Sequence, residues 1–190
     1  VPVSALLAVG TVQHHLVREH KRTQIGVVVE SGEPREVHHF CMLVGYGADA
    51  INPYLAYECL YHMTRTGELK LDHSKGRQLG RRYRRGSRQG LCKIMSKMGI
   101  SAVSSYRGAQ LFEAVGLSRE VVDVAFCGVS SRIEGSRFVD LQEDQEALAR
   151  DARSKRKALM QGGLLKYVHG QEYHAFNPDV VTTLRQAVAS

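Results

Sequence analysis

KIMSKMGISAVSSYRGAQLFEAVGLS, residues 93–118, decides how the chain is to be folded. Leu91, Ile94, Met95 and Met98 recur at helical spacing and stop at Gly99, so the stretch opens on a helix. Ser96 and Lys97 fall off that apolar stripe, onto a polar face. ISAVSS, residues 100–105, is short and partly β-branched and predicts a strand. Arg107–Gly108 predicts a turn, and GAQLFEAVG a short helix with Leu111, Phe112 and Val115 inward. Ser118 then caps a further helix carrying Val121, Val122, Ala125 and Phe126, ended by Gly128. Helix, strand and helix in quick succession are the mark of an α/β chain.

The same alternation extends upstream. Ser4 caps a predicted helix over 5–21, with Leu6, Val9, Val12, Leu16 and Val17 on one side. QIGVVVE, residues 24–30, predicts a buried strand. Pro34 suits a first helical turn, and Val37, Phe40, Cys41 and Val44 follow at i, i+3, i+4 and i+7. Gly45 and Gly47 stop that helix. Asn52–Pro53 opens another, with Ala56, Cys59, Leu60 and Met63 on one face and an end near Gly67. Residues 68–88 are polar, basic and glycine-spaced without an apolar period, and predict a flexible linker.

Downstream, residues 137–160 predict a long, charged, solvated helix. LLKYV and EYHAF predict strands about HGQ, and Asn177–Pro178 opens a last helix with Val181, Leu184 and Val188. The fold class is therefore α/β, mostly helices alternating with a few short strands. Val1 is not a Met and both ends fall inside periodic segments, so the chain reads as a piece of a longer multidomain protein.

Composition bounds the function classes. The chain has 190 residues, 43% hydrophobic and 24% charged, which is ordinary for a globular protein. No apolar run approaches the ~18 residues of a membrane span, and VPVSALLAVGTV lacks the basic start of a signal peptide. Cys41, Cys59, Cys92 and Cys127 include no CxxC and lie in apolar surroundings, predicting reduced, buried thiols in the cytoplasm. The net charge is +7. Lys75, Arg77, Arg81, Arg82, Arg84, Arg85 and Arg88 supply that whole excess, with no acid among them.

Several motifs invite a chemical reading. GYGADA, residues 45–50, matches G-x-G-x-x-A, but a dinucleotide site needs a strand before the glycines and a helix after them. Helical spacing over 37–44 reverses that order, so the glycines end a helix and its carbonyls, not its amides, face the turn. Asp72 of LKLD would be the acidic partner in the nucleotide reading. HHLVREH, residues 14–20, fails both HExxH and HxxEH spacing, which leaves His15 and Glu19 as a surface pair. His38 and His39 point about 100° apart on a helix and make no two-ligand face. His169, Glu172 and His174 would approach one another on a hairpin, where hydrogen bonding competes with metal binding. The Arg-rich segment 75–90, with Tyr83 as a stacking aromatic, supports an alternative reading as a nucleic-acid-binding module, although no recognised binding fold surrounds it.

Longer strings carry a family resemblance. VVESGEPREVHHF (28–40) and GYGADAINPYLAYE (45–58) resemble the end of the central domain of the bacterial glutamate synthase large subunit. GLCKIMSKMGISAVSSYRGAQLFEAVGL (90–117) and SSRIEG (130–135) resemble the start of its FMN domain. QGGLLKYVHGQEYHAFNPDVV (161–181) resembles the following segment of the NADPH-dependent proteobacterial type. The resemblance implies a division into 1–67 as central-domain end, 68–88 as basic linker and 89–190 as the first part of the FMN domain, a (β/α)8 barrel. It implies an enzyme that makes L-glutamate from glutamine-derived ammonia and 2-oxoglutarate. Reducing equivalents would come from NADPH, through a small FAD-containing subunit and iron–sulfur clusters, to FMN. The remaining domains of the large subunit and that small subunit are the implied partners. Two local differences stand out: Gln171 replaces the Gly usual before EYH, and 77–88 is more basic than in the family. The nucleophilic cysteine, the cluster-binding cysteines and the FMN-binding strings of that family have no counterpart here. No catalytic, cofactor-binding or metal-binding residue is therefore expected in this chain, and its implied role is architectural.

Overall fold

A computed structural model describes residues 3–69, 76–154, 162–163 and 166–189. They divide into two units, Val1–Asp151 and Ala152–Ser190. In the first unit, α1 (Ala5–Arg18) leads through a 3-10 turn to β1 (Val28–Glu30), α2 (Val37–Gly45), β2 (Ala50–Asn52), α3 (Tyr54–Arg65) and α4 (Gly76–Lys97). There follow α5 (Val103–Tyr106), β3 (Glu113–Leu117), α6 (Arg119–Ala125), β4 (Ser130–Ser136) and α7 (Phe138–Ala152). Mixed α/β class and helical predominance match the expectation from sequence.

The strands form two parallel pairs, each closed by a crossover helix. β1 pairs with β2 in the register Val28–Ala50, Val29–Ile51, Glu30–Asn52, with α2 between them. β3 pairs with β4 across α6, with register shifts after Ala114 and Val115. Parallel strands cannot be joined by a tight hairpin, so each pair needs its helix. One core cluster joins both β–α–β units through Val9, Val29, Leu43, Tyr46, Ala114, Val121, Val122, Ala125 and Phe126. Gly10 allows α1 to cross α6 closely, because a Cβ there would lie 2.1 Å from the Ala125 carbonyl oxygen. A second cluster holds Cys41, Met95 and Tyr106, whose hydroxyl donates to the Cys41 carbonyl at 3.0 Å.

Four local expectations are corrected. Residues 100–105 are not a strand: α5 turns Tyr106 into the second cluster, where it is 1% exposed. The predicted helix over 108–116 is instead a lead-in followed by most of β3, which begins at Glu113. Pairing with β4, which local periodicity did not reveal, prevails over helical spacing, and Leu111 and Val115 end up exposed. The described part of the linker, from Gly76, is helical, and α4 runs unbroken across 88 and 89. Its inward stripe is written in Leu79, Gly80, Tyr83, Ser87 and Gly90, residues that an apolar count passes over. Lastly, 166–177 form turns and no strand, while Leu164 and Leu165 lie outside the described residues.

Smaller differences concern ends and burial. The strand of 24–30 is confined to Val28–Glu30, with Val29 buried. Ser4 caps α1 through its carbonyl rather than its side chain, and the Glu33 carboxylate accepts the Ala5 N–H at 2.8 Å. Asn52 ends β2, so Pro53 rather than Asn52 holds the cap of α3. Only Cys41 is buried, whereas Cys59, Cys92 and Cys127 are exposed free thiols. Each of the three sits just beside, not on, the buried stripe of its segment, which adjacency in sequence cannot distinguish.

In the second unit, α8 (Pro178–Ala189) begins after Asn177, as expected. Leu184 and Val188 are exposed on it. His174 Nε2 lies 2.9 Å from the Gly163 carbonyl oxygen, and the Asn177 side-chain oxygen accepts the His174 N–H at 3.2 Å.

Candidate functional site

Three charged side chains of the first unit, Arg22, Asp49 and Arg107, converge where GYGADA meets SYRGAQ. α2 ends at Gly45, and Gly47 takes a φ of +113°, which turns the chain toward β2. Against that turn, Gly108 N–H donates to the Val44 carbonyl at 3.2 Å and Gln110 N–H to the Gly45 carbonyl at 3.1 Å. These bonds use carbonyls that the end of a helix leaves without intrahelical donors.

Asp49 is the centre of the cluster. Its Oδ2 accepts the Val27 N–H at 2.7 Å and the Arg22 Nη2 at 3.0 Å. Its Oδ1 pairs with Arg107. Arg22 makes four hydrogen bonds in all: it also donates to the Gln13 side chain, to the Ile25 carbonyl at 2.7 Å and to the Gly47 carbonyl at 2.7 Å. Burial works to raise the Asp49 pKa, but the Val27 amide and the two guanidinium groups outweigh it and hold the carboxyl below its usual range. Beside this cluster, Gln110 has a φ of +52° and brings its amide within 3.2 Å of His14 Nε2. Burial and the nearby Arg18 depress the His14 pKa, against the Gln110 hydrogen bond. A cleft of about 480 Å3 opens here, lined by Gln13, Arg22, Gly47, Asp49, Arg107 and Gly108 among others. Chemically the cluster is a staple: one carboxylate is held between two guanidinium groups, and it ties four sequence-distant segments together.

The other candidates fall as follows. Residues 37–45 are helical, so GYGADA lies at a carbonyl end and makes no phosphate cradle. Asp72 lies outside the described residues. His15 and Glu19 form no ion pair, while His39 lies 3.7 Å from Glu36 and accepts the Arg35 N–H at 3.1 Å. His169 meets Tyr167 rather than His174, and no hairpin brings Glu172 to them. Among the described residues, no three His, Cys, Asp or Glu side chains are placed to hold a metal ion. The dispersed cysteines therefore do not suit an iron–sulfur cluster. Tyr83 faces inward: its hydroxyl donates to the Arg35 carbonyl at 2.7 Å and its ring meets Phe40 and Tyr57 edge-on. It is not free to stack on a base, while Arg77, Arg81, Arg82, Arg84, Arg85 and Arg88 are all exposed.

Sequence reasoning missed Arg22, Asp49, Arg107 and Gln110 as a group. The one local signal was that Asp49 follows a glycine turn. The partners lie far away in sequence, so only folding brings them together.

The described residues thus define an α/β segment of two β–α–β units stapled by half-buried and exposed charge. The family model of the glutamate synthase central domain matches residues 1–118. The chain belongs to the glutamate synthase family through that domain. It is 44% identical over 188 residues to the glutamate synthase [NADPH] large chain of Bacillus subtilis, covering 98% of this chain and 12% of that one. It is 40% identical over 199 residues to the glutamate synthase [NADH] of Saccharomyces cerevisiae, covering 99% of this chain and 9% of the relative. The ferredoxin-dependent glutamate synthase of Pyropia yezoensis is 42% identical over 197 residues, covering 99% and 13%. The chain therefore spans about an eighth or less of the length of these relatives. No helix among the described residues is long and apolar enough to cross a membrane.

Proposed function

We propose that this chain is a structural, domain-bridging part of a glutamate synthase. In that enzyme, ammonia from glutamine adds to 2-oxoglutarate and is reduced to L-glutamate, with electrons from NADPH passing through FMN. The central-domain match over 1–118, within alignments that continue across nearly the whole chain, is the observation that carries this reading. The division at 67 and 88 into central-domain end, basic segment and start of the FMN domain is part of the proposal, with the central-domain match running past both boundaries to residue 118. So are the remaining large-subunit domains, a small FAD-containing subunit, the iron–sulfur centre and a cytoplasmic location. Three exposed free thiols fit a reducing compartment.

The bridging role is supported by the Asp49 staple, which ties the turn after α2 to the segment that leads into β3. The isolated chain should bind no FMN tightly and form no glutamate. Tight, stoichiometric flavin uptake by the purified chain overturns the architectural reading. In the whole protein, NADPH oxidation should require both glutamine and 2-oxoglutarate and yield glutamate. Arg107→Ala should raise glutamine hydrolysed per glutamate formed. An unchanged ratio with the staple broken refutes the bridging role.

A further inference from the structure

We infer that the arginine face of α4 and the acidic face of α7 are the two halves of one contact between two copies of this chain. Within α4, Arg77, Arg81, Arg84 and Arg88 stand at i, i+4, i+7 and i+11, and all four are exposed. Those steps put them on one stripe, about 16 Å long at 1.5 Å per residue. The helix contains no acid, and none of these arginines makes an ion pair among the described residues. The stripe is a strong positive surface with no ion-pair partner among the described residues.

α7 presents the complement. Asp140, Asp144, Ala147 and Asp151 stand at the same steps of four, three and four. Reversed, the pattern is unchanged, so an antiparallel α7 offers the partner's Asp151 to Arg77, the partner's Asp144 to Arg84 and the partner's Asp140 to Arg88. Arg81 faces the partner's Ala147, with the partner's Glu143 one turn away on the same side. Asp144, Ala147 and Asp151 are exposed. Asp140 is half-exposed; its Oδ2 accepts the Arg137 N–H at 2.7 Å and meets the Arg137 guanidinium at 3.5 Å, leaving Oδ1 for the contact. Arg150 pairs with Glu146 off this face and does not compete. Leu148, 63% exposed beside Ala147, can lie along the aliphatic stems of the arginines.

Each copy carries both halves, so α4 of one on α7 of the other, applied twice about a two-fold axis, closes a dimer. The planar guanidinium matches a carboxylate in a two-bond fork, which makes register a property of the stripe. A nucleic-acid strand is the weaker occupant, because Tyr83 turns inward and leaves the arginine face with no aromatic for a base.

The test uses the whole protein containing this chain and two charge-reversed forms, R77E/R84E/R88E and D140K/D144K/D151K, in sedimentation equilibrium at low and high salt. Wild type should self-associate in a salt-sensitive way, and each reversed form alone should associate more than about tenfold more weakly. An equimolar mixture should regain the wild-type association, because both contacts are then opposite in charge again. Unchanged far-UV circular dichroism checks that the substituted surfaces leave the fold intact, and recovery in the mixture excludes misfolding independently. Absence of self-association in the wild type, association indifferent to either reversal, or failure of the mixture to recover overturns the inference. Arginine-dependent binding of single-stranded DNA without self-association overturns it in favour of nucleic acid.

Discussion

Gly86 and Gly90 lie one turn apart on α4, and the fold predicts opposite outcomes when each is changed to Ala. At Gly86 an added Cβ meets nothing within 4 Å. The substitution therefore gains helix propensity alone, and should stabilise by about 0.5–1 kcal/mol. At Gly90 the same Cβ would lie 2.4 and 2.5 Å from the two γ-methyls of Val37 and 3.0 Å from its Cβ. Val37 is β-branched and sits in the first turn of α2, so it has few rotamers with which to yield. Overpacking of this kind costs about 1–3 kcal/mol, from which the propensity gain of about 1 kcal/mol must be subtracted. Gly90→Ala should thus range from near neutral to about 2 kcal/mol destabilising. It should lie about 1–3 kcal/mol below Gly86→Ala, which is the overpacking cost itself. Urea unfolding followed by circular dichroism at 222 nm (the usual helix signal) reads both. Val37→Ala removes both clashing methyls, so the double variant V37A/G90A should show a favourable coupling between the two sites. Equal stabilisation by Gly86→Ala and Gly90→Ala would refute the close approach of α4 to α2.

Three further outcomes follow from burial and charge. Cys59, Cys92 and Cys127 should react readily with a thiol reagent in the folded chain, while Cys41 reacts only on unfolding, since burial raises its pKa against the Tyr106 hydrogen bond. Tyr106→Phe removes a buried hydroxyl from the Cys41 carbonyl and should cost about 1 kcal/mol in the same urea titration, with the helical spectrum unchanged. Asp49 has a folded pKa below its unfolded value of about 3.9, so its contribution is complete above that value and is lost as pH falls through the folded pKa. Asp49→Asn should lower stability at pH 7 and flatten the acid limb below about pH 4, and an acid limb of unchanged slope contradicts the staple.

How much of this was legible beforehand differs from element to element. α1, α2, α3, α6 and α8 were visible because a stripe of aliphatic residues at 3.6 spacing is a local pattern, bounded by local stops such as Gly45, Gly99 and Gly128. Residues 37–44 alone settled GYGADA as a helix end. The long strings 28–40, 45–58 and 90–117 carried the family. β3 and β4 were illegible because a parallel pair is decided by partners a crossover apart, and GAQLFEAVG taken alone has helical spacing. α4 was half legible: Leu91, Ile94 and Met95 announce its end. Its first turns half-bury Gly80 and Tyr83 against α2 and α3, which marks a close helix contact and not a purely apolar one.

The opening stretch shows the division most plainly. By itself the sequence determined that KIMSKMG ends a helix, that the chain is α/β and that it belongs with glutamate synthases. The tertiary structure alone decided that SSY is a helical turn delivering Tyr106 to Cys41, that Arg107 meets Asp49, and that AVG extends a strand. The first group rests on residues within one or two turns of each other, whose spacing is written in order along the chain. The second rests on hydrogen bonds and ion pairs between segments that only the closing of two β–α–β units makes neighbours.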